Sequence, residues 1–123
     1  FMEAMNFIDG IVIGADGVGV KVNTPLGLIS ATACAAAAGS SVTVMVRPER
    51  ISVVAATADD PACENSASGQ VVRVNYHGTY RRLHVAAGGQ ELTVDIPVSG
   101  VGEVPAAAVR LAWRRDDTHV LAQ

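Results

Sequence analysis

Three histidines are the residues of this chain best suited to bind a metal ion or to transfer a proton near neutral pH. His77, His84 and His119 lie far apart in the sequence, and none is spaced from another histidine or from a cysteine like the ligands of a zinc site. His84 lies on a predicted strand, where a histidine is commonly a hydrogen-bonded structural residue. His77 lies in a predicted turn. We therefore expect no metal site.

The acidic pairs and the single lysine do not form a catalytic or phosphate-binding arrangement either. Asp59-Asp60 and Asp116-Asp117 are adjacent in sequence, and neighbours on a strand point to opposite faces, so neither pair predicts an acid–base dyad. Lys21 is the only lysine, and there is no G-x-x-x-x-G-K-S/T motif. Gly17-Val18-Gly19 lies in a predicted hairpin and opens no helix. The sequence predicts that this chain is not an enzyme, with no catalytic residues and no cofactor of its own.

Composition limits the classes of partner. The chain has 123 residues, of which 50% are apolar, 17% charged and only 4% aromatic. This is enough for one domain, or two small subdomains, with a core of Val, Ile, Leu and Ala. The formal net charge of −3 argues against broad binding to a phosphate backbone.

The lack of a recognisable targeting signal and the pattern of the cysteines favour a cytoplasmic location. No apolar run approaches the roughly 20 residues of a membrane-spanning helix, and residues 1–5 lack the basic region of a signal peptide, so we expect neither membrane insertion nor secretion. We expect residues 1–5 to be an internal segment of a longer chain. Cys34 and Cys63 do not form a disulfide framework, and we expect two reduced thiols.

Alternation of apolar and polar residues dominates the sequence and predicts an all-β fold. About ten short strands follow one another with turn residues between them, as in a barrel or sandwich. The turns include Ala15-Asp16-Gly17 and Gly88-Gly89. In one strand, the alternation predicts that Val72 and Val74 share a face. An irregular Gly/Pro-rich crossing is expected at residues 98–105.

A polar stretch divides the chain. Residues 57–68 are rich in Ala, Asp, Ser and Asn and are predicted to be a loop. On either side we expect two possible β-subdomains, residues 1–56 and residues 69–123, within a single regulatory unit that spans residues 1–123.

One motif is more specific than a strand pattern. In residues 44–51, an apolar strand runs into Arg47-Pro48-Glu49 and back into apolar residues. This segment resembles the V-R-P-E signature in the C-terminal region of the ATP-binding subunits of bacterial ABC importers. Three further segments are similar to that region in order and spacing: residues 6–12, 69–78 and 111–121. The chain is therefore identified as a member of the TOBE (transport-associated OB) regulatory domains, with most similarity to the polyamine/iron branch.

The resemblance implies fold, partners and location. It implies OB-like (MOP-like) barrels and a regulatory and dimerisation role in an importer of polyamines or related solutes. The expected partners are a second copy, the ATPase domain of the same chain and, indirectly, the membrane subunits. ATP and Mg²⁺ would bind to that ATPase domain, not to this chain. The location would be cytoplasmic, peripheral to the inner face of the cell membrane.

The motif residues also have a physical interpretation. Pro48 ends strand pairing and fixes φ, so Arg47 and Glu49 are expected at a defined corner. The N–H groups of the Arg47 guanidinium can donate two hydrogen bonds at once to a carboxylate, or donate to backbone carbonyls. The two charged residues then either hold the corner of their own barrel together or contact the ATPase domain.

Two alternative functions stay open. A small-ligand sensor, for an oxyanion or a polyamine, would need converging groups, and Glu91, Asp95 and Tyr80 lie on adjacent predicted strands. An OB-type nucleic-acid-binding module would need stacking aromatics beside basic residues, and only residues 76–82 provide such a cluster. Tyr76, Gly78, Tyr80 and Trp113 are predicted as interface or ligand residues.

Overall fold

Ten β-strands and two short 3₁₀ helices make up the described part of the chain. The computed structural model describes residues 5–15, 17, 19–32, 36–55, 63–97 and 108–122, and within them there is no α-helix. The strands are β1 Asn6–Ala15, β2 Val20–Thr24, β3 Gly27–Ala31, β4 Ser41–Val46, β5 Ser52–Ala55, β6 Asn65–Tyr76, β7 Tyr80–Ala87, β8 Gln90–Pro97, β9 Ala108–Trp113 and β10 Thr118–Ala122. The 3₁₀ helices are Pro48–Arg50 and Arg115–Asp117. The all-β prediction is confirmed.

The strands form two antiparallel five-stranded sheets. The first sheet has the order β10-β4-β1-β2-β3, and the second has the order β5-β9-β6-β7-β8. The first sheet curls until its two edges meet: the backbone N–H of Thr32, just after β3, donates to the carbonyl of Thr118 in β10 over 3.0 Å. Curled sheets of this kind give the OB-like barrel architecture that the resemblance implied.

The two sheets are repeats of one unit that exchange their last strands. In each repeat, four strands are followed by a 3₁₀ helix and a fifth strand, and the fifth strand pairs in the sheet of the other repeat. Strand β5 therefore completes the second sheet and β10 completes the first. The division into subdomains 1–56 and 69–123 stays a prediction, and each such half would give one strand to the sheet of the other.

Residues 65–68, which their polar composition predicts as loop, instead form the beginning of β6. Their side chains alternate between buried (Asn65, Ala67) and exposed (Ser66, Ser68). The backbone pairs with β9, from Asn65 opposite Trp113 onwards. The serine side chains are tolerated here because they lie on the outer face of the strand. Residues 56–62 and 98–107, which include the first half of the predicted loop and all of the Gly/Pro-rich crossing, lie outside the described residues, as do Asp16 and Cys34.

Inward-facing residues of both sheets share one hydrophobic core. Its largest fully buried side chains are Trp113, Ile8, Ile29, Leu83, Leu92, Leu111, Val12, Val22, Val42, Val44, Val46 and Val85. Burial of each such Val, Leu or Ile side chain contributes about 1.5–3 kcal/mol. Because the core holds a single large aromatic, strand-favouring aliphatic residues supply most of the interior, as the composition predicted.

A β-bulge occurs at the same place in each repeat. The pairing of β1 with β2 shifts between Val12 and Gly14, and the pairing of β6 with β7 shifts between Val71 and Arg73. A bulge places one extra residue on one strand and breaks the alternation. As a result Val72 is 54% exposed, while Val74 is half-buried. The prediction that Val72 and Val74 share a face is therefore wrong.

Candidate functional site

The Arg47-Pro48-Glu49 motif forms a corner between β4 and β5. Pro48 is buried at the start of the first 3₁₀ helix, where its fixed φ and missing N–H are well tolerated. The Arg47 and Glu49 side chains are 64% and 55% exposed, with Nη1 of Arg47 3.8 Å from Oε2 of Glu49. An exposed ion pair of this kind contributes about 0–1 kcal/mol. The corner thus depends on Pro48, and the two charged side chains remain accessible.

The second repeat has a matching corner, formed by the 3₁₀ helix Arg115–Asp117 between β9 and β10. The corners are neighbours, with Nε of Arg50 3.9 Å from Oδ1 of Asp117. The backbone N–H of Arg115 also donates to Oε1 of Glu64 over 2.9 Å. This hydrogen bond to the ionised carboxylate lowers the pKa of Glu64.

Two buried asparagines join the repeats. Asn65 accepts from the backbone N–H of Ser30 (2.7 Å), donates to the Ser30 carbonyl (2.8 Å), and lies 3.3 Å from Oγ1 of Thr118. Asn6 makes the equivalent pair of bonds with Thr93, both 2.7 Å. Each amide side chain thereby bonds to a backbone N–H and a backbone C=O at the outer edge of a strand in the opposite sheet, as a neighbouring strand would do. We call Asn6 and Asn65 the clamp asparagines.

A glycine follows each clamp asparagine by four residues, where β1 and β6 cross close to the next strand. A Cβ at Gly10 would lie 2.6 Å from Cγ1 of Val22, and a Cβ at Gly69 would lie 2.6 Å from Cγ1 of Val85. Only glycine fits without displacing the core. The duplicated Asn-x-x-x-Gly pattern, which neither the strand alternation nor the Arg-Pro-Glu motif includes, is the sequence signal that identifies the repeat.

The second repeat has an extension that the first lacks. The innermost pair of the first hairpin, Ala15 with Val20, encloses four residues (16–19). The equivalent pair of the second hairpin, Val74 with Leu83, encloses eight (75–82). We call residues 75–82 the arm. Because the first barrel closes without such an extension, the fold itself does not require the arm.

The arm contains three of the predicted interface or ligand residues. Tyr76 is 75% exposed, and the Arg81 guanidinium lies 5.9 Å from its ring centroid. The rings of His77 and Tyr80 stack with centroids 5.0 Å apart and an interplanar angle of 11°. Gly78 has a φ of +79°, which the turn requires. Tyr76, Gly78 and Tyr80 therefore lie together on the surface, and their role stays a prediction.

Trp113, the fourth predicted interface residue, lies in the core. It is 1% exposed, because the alternation of β9 directs it inward opposite Asn65. Its Nε1–H is buried without a hydrogen-bond partner among the described residues. The prediction that Trp113 is an interface or ligand residue is therefore wrong for the surface of this chain. Its position in the sequence, just before a charged turn, does not show which face of the strand it occupies.

A shallow cleft of about 340 Å³ lies between the first corner and the arm, lined by Glu49, Tyr80, Asp95 and Pro97. Tyr80 and Asp95 thus converge, as a cation-binding site would need. However, Arg82 already forms a two-pronged pair with Asp95, with distances of 2.8 and 2.9 Å, and its guanidinium lies 5.5 Å from the Tyr80 ring. An internal cation therefore occupies the position that an amine ligand would use.

Glu91, the third group predicted to converge there, lies at a different place on the second sheet. Its Oε1 is 3.0 Å from Nδ1 of His84 and 3.3 Å from Nη2 of Arg73. Nε2 of His84 is in turn 3.3 Å from Nδ2 of Asn75. The neutral His84 tautomer with its proton on Nδ1 satisfies both contacts. His84 is a hydrogen-bonded surface residue of the sheet, as the sequence indicated.

The described residues contain no group of three or more His, Cys, Asp or Glu side chains placed to hold a metal ion. Nor is any helix in the described ranges long and apolar enough to cross a membrane. The described residues form two curled sheets that exchange a strand, with two corners and one arm on the surface.

Comparison with known proteins gives the family. The model of the TOBE domain matches residues 44–121, more than half of the chain, so the chain belongs to the TOBE domain family. It is 37% identical over 90 residues to the spermidine/putrescine import ATP-binding protein PotA of Frankia alni (strain ACN14a). That similarity covers 70% of this chain and 19% of the relative, so the chain spans about a fifth of the relative's length.

A solved structure has the same fold. The cytoplasmic molybdate-binding protein ModG, in a form with molybdate bound, superimposes with a TM-score of 0.82 over 96% of each chain at 18% identity. At that identity the likeness establishes the fold alone. It confirms the OB-like architecture for the paired repeats.

Proposed function

We propose that this chain is the regulatory and dimerisation domain of the ATP-binding subunit of an ABC importer. Support comes from its membership of the TOBE family and from the 37% identity to an importer ATP-binding protein. In this proposal it works on the cytoplasmic face of the membrane, attached to an ATPase domain that binds ATP and Mg²⁺, beside a second copy and indirectly against the membrane subunits. It performs no catalysis itself.

The interlocked construction suits such a role. Strand exchange and the clamp asparagines tie the two repeats into a body that moves as a unit. A rigid body transmits a displacement from one of its surfaces to another, whereas a flexible one absorbs it. ATP-driven motion of an attached domain would therefore shift the whole barrel pair, and a restraint on the barrel pair would oppose ATP-driven motion.

The first corner is the surface that we propose for contact with the ATPase domain. Arg47 and Glu49 are both more than half exposed and interact only weakly with each other. Their contribution to the stability of the barrel is small, so the fold does not explain why an arginine and a glutamate occur there. A contact with an adjoining domain does.

The test uses the ATP-binding subunit that carries this chain, assembled in its importer. Arg47→Ala and Glu49→Ala are expected to change the rate of ATP hydrolysis or its coupling to transport at least threefold, with unchanged thermal stability. Asp116→Ala, at the position in the second corner that corresponds to Glu49, is the matched control and should have no effect. Unchanged hydrolysis and transport in both first-corner variants would overturn the proposed contact, and unchanged regulation after removal of residues 6–122 would overturn the proposed function.

The substrate class that we propose is a polyamine, because the named relative is a spermidine/putrescine import protein. Uptake of radiolabelled spermidine by cells with the intact importer tests this. We expect uptake to disappear when the ATPase is inactivated. Uptake that is independent of the importer would contradict the assignment.

A second candidate function is small-ligand sensing by the chain itself. The observation in its favour is the cleft with the Glu49 and Asp95 carboxylates and Tyr80. Because Arg82 neutralises Asp95, wild-type protein should bind spermidine weakly, and Arg82→Ala should strengthen binding at least fivefold in isothermal titration calorimetry. Molybdate, titrated in parallel, tests the oxyanion alternative. Equal binding of spermidine by wild type and Arg82→Ala would exclude this cleft.

We do not extend the proposal to nucleic acids. The arm does bring Tyr76 and Tyr80 beside Arg81 and Arg82. However, His77 stacks on Tyr80, Arg82 lies over the same ring and its charge is balanced by Asp95. The net charge of −3 opposes binding to a phosphate backbone, and within the arm only Tyr76 offers an open ring, whereas a single strand needs several stacking rings along a basic groove.

A further inference from the structure

Each corner of the fold lies beside the tip of one β-hairpin. A Cβ at Gly19, at the tip of the β1–β2 hairpin, would lie 3.3 Å from Cδ of Arg115 in the second corner. At the first corner, Glu49 lines the same cleft as Tyr80, which belongs to the arm at the tip of the β6–β7 hairpin. The two repeats thus place a corner and a hairpin tip side by side in the same way.

The two hairpin tips differ in length, and the longer one lies beside the Arg47-Pro48-Glu49 motif. The short tip encloses four residues next to the second corner, whereas the arm has eight next to the first. The second repeat needs neither the motif nor an arm to form its corner, which has the sequence Arg115-Asp116-Asp117. Two features that the fold does not require therefore occur together on one surface.

Contacts within the arm hold it in one shape. The backbone N–H of His77 donates to the carbonyl of Tyr80 over 2.9 Å, and the rings of the two residues stack. The Arg82 guanidinium lies beside the Tyr80 ring and forms its bidentate pair with Asp95. A surface element that is ordered before it binds loses little conformational entropy on binding. This bracing suits the arm to recognition of a partner.

Tyr76 is the side chain of the arm best placed to anchor a partner. It is 75% exposed, the largest exposed fraction among the exposed large hydrophobic residues of the described ranges. The Arg81 guanidinium lies 5.9 Å from its ring centroid, and tyrosine and arginine are enriched among the residues that contribute most to binding at interfaces. A tyrosine buries its ring against apolar groups and hydrogen-bonds through its hydroxyl. The matching surface is therefore an apolar pocket that contains a hydrogen-bond acceptor.

The position of the arm points to the ATPase domain as the owner of that pocket. A standard protein interface covers about 800 Å² on each side, which is a patch about 28 Å across. The cleft between the arm and the first corner has a volume of about 340 Å³, the volume of a cube with an edge of roughly 7 Å. An ATPase domain that covers Arg47 and Glu49, as proposed above, therefore extends across the cleft and reaches the arm.

From these observations we propose that the arm is a second contact with the ATPase domain, with Tyr76 seated in an apolar pocket of that domain. The inference rests on the proposed function and adds a surface that the first corner does not include. Two contacts on either side of a cleft prevent the partner from pivoting, which a single contact allows. The arm thereby fixes the direction in which motion of the ATPase domain is transmitted.

Photo-cross-linking in the assembled importer identifies what covers the arm. Benzoylphenylalanine in place of Tyr76 is expected to form cross-links to peptides of the ATPase domain, which mass spectrometry locates after digestion. The same probe in place of Val72, an exposed apolar residue of the same strand, is the matched control and should give less than one-fifth of that yield. Cross-links from position 76 to a second copy of residues 6–122, to a membrane subunit or to no protein would overturn the inference.

The variant Tyr76→Ala in the same importer tests whether the contact affects regulation. Because the side chain is exposed, its loss should change the Tm by less than about 2 °C. We expect the amount of substrate transported per ATP hydrolysed to fall at least threefold, whereas Val72→Ala should leave this ratio unchanged. An unchanged ratio in Tyr76→Ala, with altered coupling in Arg47→Ala or Glu49→Ala, would overturn the arm contact and leave the proposed function intact. Unchanged regulation after removal of residues 6–122 would overturn both.

Discussion

Replacement of the clamp residue Asn65 by alanine should destabilise the protein far more than the loss of one polar side chain suggests. Asn65 is 2% exposed, and its amide satisfies both the N–H and the C=O of Ser30 at 2.7 and 2.8 Å. Alanine cannot replace either bond, and each buried group left without a partner costs about 1–3 kcal/mol. We expect the free energy of unfolding to fall by about 3 kcal/mol in total.

Thermal denaturation followed by circular dichroism measures this effect. For 123 residues the entropy of unfolding is about 0.26 kcal/mol/K, so a loss of about 3 kcal/mol lowers the Tm by about 12 °C. Asn75→Ala, an exposed asparagine later in the same strand, is the control and should change the Tm by less than about 2 °C. If Asn65→Ala lowered the Tm by no more than this control, the clamp would not hold the repeats together.

Three further predictions concern single contacts. The coupling energy between Arg82 and Asp95 should reach about 1–2 kcal/mol, because the ion pair is bidentate and both side chains are less than one-fifth exposed. A double-mutant cycle with alanine measures it, and a value near zero would contradict this prediction. The depressed pKa of Glu64 means that its stabilising effect is present above the pKa of the unfolded chain and is lost as the pH falls through the lower, folded pKa; an NMR titration that finds an ordinary pKa would refute the hydrogen bond. Gly10→Ala should cost about 1–3 kcal/mol because its Cβ would meet the next strand, whereas Gly14→Ala has open space and should be neutral in urea denaturation.

The sequence was sufficient for the class of fold because alternation is a local signal. Strand β4, for example, has Val42, Val44 and Val46 buried and the residues between them more exposed, and the Gly88-Gly89 turn has the positive φ values, +57° and +84°, of a tight hairpin. Such patterns require no knowledge of distant residues.

Features that depend on distant contacts were not predictable in the same way. The bulge at Val72 reverses the alternation without any residue that marks it. Trp113 is directed into the core by its pairing with Asn65, 48 positions earlier in the sequence by their residue numbers. The exchange of β5 and β10 between the sheets follows from tertiary pairing alone.

The candidate site was predictable only in part. The sequence placed Tyr80 and Asp95 near each other correctly, because adjacent strands of a hairpin bring them together. It placed Glu91 with them, although Glu91 lies on the same strand as Asp95, two periods of the alternation further from the arm, beside His84. The sequence could not specify that Asp95 is the carboxylate that pairs with Arg82, because the register of the strands was unknown.

Self-association is the property that tests the account most directly. Static light scattering of the wild-type chain, from about 1 µM to about 500 µM, spans the micromolar affinity expected for a small interface. We predict that the weight-average mass rises from that of one chain to that of two and then stays constant. A mass that remains that of a single chain over the whole range would contradict the dimerisation role, and a mass that continues to rise would contradict a closed, two-fold pair.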